Sequence, residues 1–363
     1  MLYYLAQFKD LWGPLRLFQS HLTLIGLGLI GTSLLVWLIL PRVKHRLPTD
    51  RGKEFACHGE KSKGKPQGAG LVFITIFALV CLLVIPPSTR SYQVLGCLYL
   101  TMLTGWFDDR SVKPWGRLLK GSLDAFLAFL TAAAICQFSD MTVWLPFTKE
   151  IFTCPAWLFI IISIPVLWLM INSTNCSDGV DGLAGTLSIF PLLFLGGFLY
   201  VVMGHVEFAK YLLVPHSAFG ASWAIMMFSL AGALAGYLWY NASPSHLLMG
   251  DAGSRAIGLA LGVGILATGN FFLTFAIAPV ILVNGGTGLV KISLIKVLQR
   301  IGVCTQKKED AKIYIKLIHR FRFPLHDHCR KELDWSDAQV VMRFALLQVW
   351  LLMVLFTIFT KMR

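Results

Sequence analysis

The sequence predicts an all-α, polytopic membrane bundle of about ten transmembrane helices, and three observations carry that expectation. Of its 363 residues, 56% are hydrophobic and 14% charged, against roughly 25% charged in an ordinary soluble domain. The apolar residues gather into runs close to the ~20 residues that cross a hydrocarbon core. No stretch between them is large enough for a separate soluble domain. Backbone polar groups in lipid must pair internally, so open sheets are excluded and the runs read as helices.

The runs fall at 20–40, 69–87, 93–107, 120–138, 155–172, 186–204, 217–238, 255–269, 271–299 and 340–361. Residues 1–19, before the first, contain Asp10 and Pro14 without a basic stretch leading into an apolar core, so no cleaved signal peptide is expected. The third run ends in Gly105-Trp106-Phe107-Asp108-Asp109, and the fifth runs into a polar segment from Asn172 to Asp181. The eighth follows Met249-Gly250-Asp251-Ala252-Gly253-Ser254. The ninth contains Asn284-Gly285-Gly286-Thr287-Gly288, which can bend or break a helix, so one helix or two pieces are expected there. The whole of 1–363 thus reads as one membrane domain, with catalytic loops near 41–68, 105–120, 172–185, 239–254 and 300–339.

Eight cysteines are scattered singly at 57, 81, 97, 136, 154, 176, 304 and 329, with no CxxC spacing, and read as small packed hydrophobes. The net charge is +13. Lysines and arginines concentrate in one alternating set of loops: Arg42 to Lys65, Arg110 to Lys120 and Lys307 to Lys331, against Arg90, Lys149 and Lys210 opposite. This bias marks the cytoplasmic side and puts both termini on the periplasmic side. Such charge suits anionic lipid headgroups or an anionic substrate. Nucleic-acid binding is not expected, because no recognisable module and little soluble mass remain.

On that topology the three acidic motifs, with five of the 19 carboxylates, open on the cytoplasmic face. Carboxylates at the rim of spanning segments are costly and point to catalysis or ion handling. Asp108 and Asp109 could bind a cation or take a proton from a phosphate nucleophile; a solvated helix end paired with Arg110 or Lys113 is the plainer alternative. In Asn172-Ser173-Thr174-Asn175-Cys176-Ser177-Asp178-Gly179-Val180-Asp181-Gly182, amides and carboxylates recur every third residue, and Gly179 and Gly182 suggest an unwound end open to a ligand. Asn241, Pro244 and the small residues around Asp251 would let phosphate or metal approach a helix N-terminus, unless Asp251 or Ser254 merely caps it. His326 and His328 could contact phosphate or carry a proton, or lie in a solvated loop. With no matched cysteine or histidine cluster they do not make a zinc site. Carboxylates beside lysines fit magnesium-assisted transfer between phosphate groups, since acids alone would repel a diphosphate.

In order, GKPQGAG (64–70), GWFDD (105–109), NSTNCSDGVDGLAG (172–185), YNASP (240–244), LMGDAGS (248–254) and PLHDH (324–328) resemble the polyprenyl-phosphate N-acetylhexosamine-1-phosphate transferases. Pro324-Leu325-His326 followed by Asp334-Trp335 and 338–344 resembles the phospho-N-acetylmuramoyl-pentapeptide-transferase branch. The resemblance implies transfer of phospho-MurNAc-pentapeptide from its UDP carrier to undecaprenyl phosphate with Mg2+, giving lipid I and UMP for peptidoglycan synthesis in the bacterial inner membrane. It implies Asp251 as the metal ligand and Asp108, Asp109, Asp178, His326 and His328 as catalytic. Lys63, Lys65, Asn172, Asn175, Gly179, Val180, Asp181, Asn241 and Leu248 would bind substrate. A homodimer is a further expectation from the resemblance. The alternatives are a sister transferase using another UDP-sugar and, in a different class, a cation-coupled transporter.

Two departures from the family pattern stand out. Asp327 occupies the middle of what is usually three successive histidines. GKPQGAG replaces GTPTMGG, with Ser62 where the nucleotide-contacting lysine is expected, so Lys61, Lys63 or Lys65 must substitute.

Overall fold

The computed structural model describes residues 1–50, 52, 62–111, 113, 115–291, 293 and 322–361. Lys61, Cys57, Cys304 and the basic residues expected between 300 and 321 lie outside the described residues. A short helix, α1 (Leu2–Leu5), is followed by α2 (His21–Val43), α3 (Gly70–Val84), α4 (Thr89–Arg110), α5 (Arg117–Cys136) and α6 (Ala156–Ser177). Then come α7 (Leu183–Gly197), α8 (Val206–Tyr211), α9 (Gly220–Asn241) and α10 (Gly250–Ala267). The last are α11 (Leu273–Ile277), α12 (Pro279–Ile281), α13 (Leu325–Glu332) and α14 (Asp337–Lys361). The chain is a polytopic helical membrane protein. Among the described residues six helices have both the length and the hydropathy to cross a bilayer: those beginning at His21, Arg117, Ala156, Leu183, Gly220 and Asp337. The apolar α3 is shorter.

Two further helices, α4 and α10, carry more charge: Arg90 and Asp108 to Arg110 on α4, Asp251 and Arg255 on α10. α10 packs on α4 and α6 and is buried along nearly its whole length. Its glycines allow this: a Cβ at Gly258 would stand 2.5 Å from the Met170 carbonyl oxygen on α6. The ninth apolar run is broken, but at Ala278-Pro279 rather than at its glycines, where the helix continues. α11 and α12 are followed by a π-helical turn, Leu282–Gly286, whose Gly285 would place a Cβ 2.0 Å from the Ser173 carbonyl oxygen.

The all-helical expectation has one exception. Met141–Trp144 and Ile151–Cys154 form an antiparallel hairpin, β1 and β2, between α5 and α6. Its backbone is tied to the bundle: Trp144 donates its amide to Gly269 at 3.0 Å and its indole N–H to Thr268 at 2.7 Å. The hairpin therefore marks the C-terminal end of α10, opposite Asp251. Both termini lie at that end. The Met1 amine donates to Leu83 at 2.8 Å at the far end of α3, and Phe359 of α14 packs edge-on against Phe147 in the hairpin loop.

Candidate active site

The site is built around the N-terminus of α10, where the first backbone N–H groups have no intrahelical partners. Met249, the residue before the helix, supplies no side-chain cap. Asp109 does so from α4: its two oxygens accept from Asp251 N and Ala252 N, both at 3.1 Å, and Gln67 Nε2 adds a third bond at 2.9 Å. The approach needs glycine on both sides. A Cβ at Gly105 would lie 2.4 Å from the Asp251 carbonyl oxygen, and one at Gly250, whose φ is +69°, would lie 2.3 Å from Asp109 Oδ2.

Beside this clamp, Lys120 Nζ bridges two carboxylates, contacting Asp108 Oδ2 and lying 3.0 Å from Asp251 Oδ2. Asp108 is buried and accepts from Trp115 N at 2.8 Å through its other oxygen. Both acids of the pair lie past the apolar stretch of α4. Burial, then contact with the Asp251 carboxylate, raises the Asp108 carboxyl above its ordinary range. Burial and then repulsion from Asp251 do the same to Asp109, against the pull of its three donors.

The polar segment after Asn172 joins the same end. Helix α6 continues to Ser177, so unwinding begins only at Asp178 and ends at Gly182, whose φ is +80°. Ser254 of α10 donates to Asn175 Oδ1 at 2.9 Å. Asp181 accepts from Lys65 Nζ at 3.2 Å and from Ser245 N at 3.1 Å. Asn241 has both ends of its amide on backbone, accepting from Gly182 N and donating to the Leu247 oxygen, each at 2.9 Å. Leu248 pairs through its backbone with Pro66 and Ala69. His326 is buried against Gly179, where a Cβ would meet its Nε2 at 2.3 Å. Its amide donates to Asn284 Oδ1 at 2.9 Å, and its Nδ1 lies 3.1 Å from the same oxygen.

Asp108, Asp109, Asp251, Asn175, Asp181, Lys65, Gly179 and His326 thus gather at one end of the bundle, with Asp178 and buried Val180 on the connecting turn. Asn172 turns away, donating to Trp168 O at 2.9 Å and Asp124 Oδ2 at 3.3 Å. Lys63 is exposed and His328 half-buried on α13. Three participants escaped the sequence reading. Lys120 was one cation among many, although its place near the start of a run, after the Asp108-Asp109 pair, was a usable signal. Gln67 and Asn284 carry no signal that distinguishes them from loop or helix-breaking amides.

The profile of the glycosyl transferase family 4 matches residues 91–269. A curated phospho-N-acetylmuramoyl-pentapeptide-transferase of Treponema pallidum (strain Nichols) is 42% identical over 367 residues, covering 100% of this chain and 97% of the relative. The chain belongs to the phospho-N-acetylmuramoyl-pentapeptide-transferase family. Members from Methylacidiphilum infernorum, 30% identical over 98% of the chain, and Nautilia profundicola, 31% identical over 80%, extend the match across distant bacteria. Membership in this transferase family removes the transporter alternative.

Proposed function

We propose that the chain transfers phospho-MurNAc-pentapeptide from UDP-MurNAc-pentapeptide to undecaprenyl phosphate, forming lipid I and releasing UMP at the cytoplasmic face of the bacterial inner membrane. Family membership supports the reaction, and the Lys120 bridge between Asp108 and Asp251 is the observation that carries the chemistry. An oxygen of the lipid phosphate bonds to the donor's β-phosphorus while the bond to the bridging oxygen breaks, and UMP leaves with that oxygen. The basic loops support the cytoplasmic placement, with both termini at the opposite end.

Asp109 holds α10 in place through the two bonds it accepts from Asp251 N and Ala252 N, and Gln67 occupies it with a third. That leaves Asp108, held by Trp115 N–H, to take the proton of the attacking phosphate. Lys120 neutralises phosphate oxygens as charge shifts to the leaving group. Lys65 and Asp181 fix the turn at 178–182 that would receive the nucleotide.

The residues fit magnesium. Their donors are carboxylate oxygens, and a cation, the Lys120 ammonium, already lies between two of them. Among the described residues no three His, Cys, Asp or Glu side chains form a metal-holding group. Magnesium typically takes one or two carboxylates and leaves its other positions to water and phosphate. Asp251 would hold it, with Asp108 facing. Held there, magnesium would supply positive charge to offset that of the substrate phosphates.

The test is UMP release by purified protein with undecaprenyl phosphate, with and without Mg2+, across a panel of UDP-sugars. Turnover of the muramoyl pentapeptide donor is expected. Turnover of UDP-GlcNAc alone would replace this reading with the sister transferase.

A further inference from the structure

Below the site, α5 and α10 carry a second ion pair that the proposed reaction does not use. Arg255 donates Nε to Asp124 Oδ1 at 3.2 Å, and its Nη2 contacts the same oxygen. The two side chains are 1% and 2% exposed, so the pair is enclosed in the bundle. Asp124 lies one helical turn after Lys120, and Arg255 one turn after Asp251, so each pair of neighbours shares a helix face. Two rungs therefore join the helices: Lys120 to Asp251 above, and Asp124 to Arg255 below with the charges exchanged.

α5 and α10 touch each other over a short stretch and pack mainly on α4 and α6. Apolar packing between them is thus a weak restraint on their mutual register. The lower rung is also fastened to α6, where Asn172 donates to Asp124 Oδ2 at 3.3 Å and Trp168 Nε1 donates to Gly121 O at 3.1 Å. A buried ion pair is often no more stabilising than apolar side chains of similar size, so stability is a poor reason for its presence. Each exchanged charge also opposes a slip of one turn, which would set Lys120 against Arg255 or Asp124 against Asp251.

We propose that the Asp124–Arg255 pair is a positioning device that sets the register of α5 against α10 and so delivers Lys120 to Asp251. The proposal rests on the transferase reading for its kinetic consequence.

The experiment compares the parent with Asp124→Leu/Arg255→Leu by thermal unfolding in detergent and by UMP release. The expected result is an unfolding temperature and donor KM like the parent's, with kcat lower by about a hundredfold, the scale of a 1 Å misplacement. A stable double variant with the parent's kcat would overturn the proposal. Should the double variant unfold early, the isosteric Asp124→Asn is judged by the same split of kcat from KM.

A stability cycle of Lys120→Met with Arg255→Leu reads register without turnover: coupled losses are expected, and additive ones would overturn the idea. If the parent releases UMP from no UDP-sugar, the functional reading fails while this cycle still decides the positioning claim.

Discussion

Substitution of Gly105 by alanine tests whether the approach of α4 to α10 builds the site. The added Cβ would stand 2.4 Å from the Asp251 carbonyl oxygen, 2.5 Å from its carbon and 2.6 Å from Ala252 N. All three are backbone atoms at the start of a buried helix, so no side chain can swing aside. Restoring an ordinary contact of 3.4 Å requires the helices to part by about 1 Å. The bonds from Asp251 N and Ala252 N to Asp109, now 3.1 Å, would then exceed hydrogen-bonding length. Overpacking of this kind costs about 1–3 kcal/mol, and a 1 Å displacement of reacting groups costs about a hundredfold in rate. The assay is UMP release alongside thermal unfolding, with Gly96→Ala as control on the same helix, where a Cβ meets nothing within 4 Å. Gly96→Ala should keep full activity and gain up to about 1 kcal/mol from helix propensity. If Gly105→Ala were as active and stable as Gly96→Ala, the close approach would have no part in forming the site.

Lys120→Met leaves Asp108 and Asp251 facing each other without the ammonium and should lower kcat by about a hundredfold or more in the same assay, the scale of losing one charge-stabilising donor. Asp251→Asn should abolish Mg2+-dependent turnover in a protein that still unfolds at the parent's temperature; near-parent turnover with unchanged Mg2+ dependence would remove it from the metal role. Asn284→Leu deprives the His326 amide and ring of their shared acceptor, a loss of about 1–3 kcal/mol that thermal unfolding should register. Asp327→His removes a half-buried carboxylate 3.8 Å from His326 and 3.9 Å from Arg330. Contacts that long are weak, so activity should stay within about twofold.

The helical bundle was legible because its signals are local: apolar runs of spanning length, glycines where the ninth winds into a π-helical turn, and polar residues where helices end. The hairpin was not legible for the same reason. Met141–Trp144 and Ile151–Cys154 are short, flanked by apolar runs, and held by bonds to Thr268 and Gly269 that are more than a hundred residues away. The acidic motifs were legible as residue types, yet their division of labour was not. Adjacent carboxylates in Asp108-Asp109 look equivalent in sequence. In space one caps a neighbouring helix and the other faces Lys120, a distinction made by the rotation of α4 and by the missing Cβ at Gly105.

Lys120 shows why motif reading stops short of a complete site. A carboxylate beside an oily run is costly enough to be conspicuous, whereas a lysine at a helix start satisfies the charge bias of its loop and invites no further question. Its role appears only when α5 is set against α10, and the sequence encodes that setting in residues that look like misplaced charges within apolar helices. Asp124 and Arg255 each lie one turn inward from a site residue, with opposite sign to it. Had they been read as a pair, the facing of Lys120 and Asp251 would have followed from helix periodicity alone. The costly charges inside the bundle therefore hold the information about which charges at its rim work together.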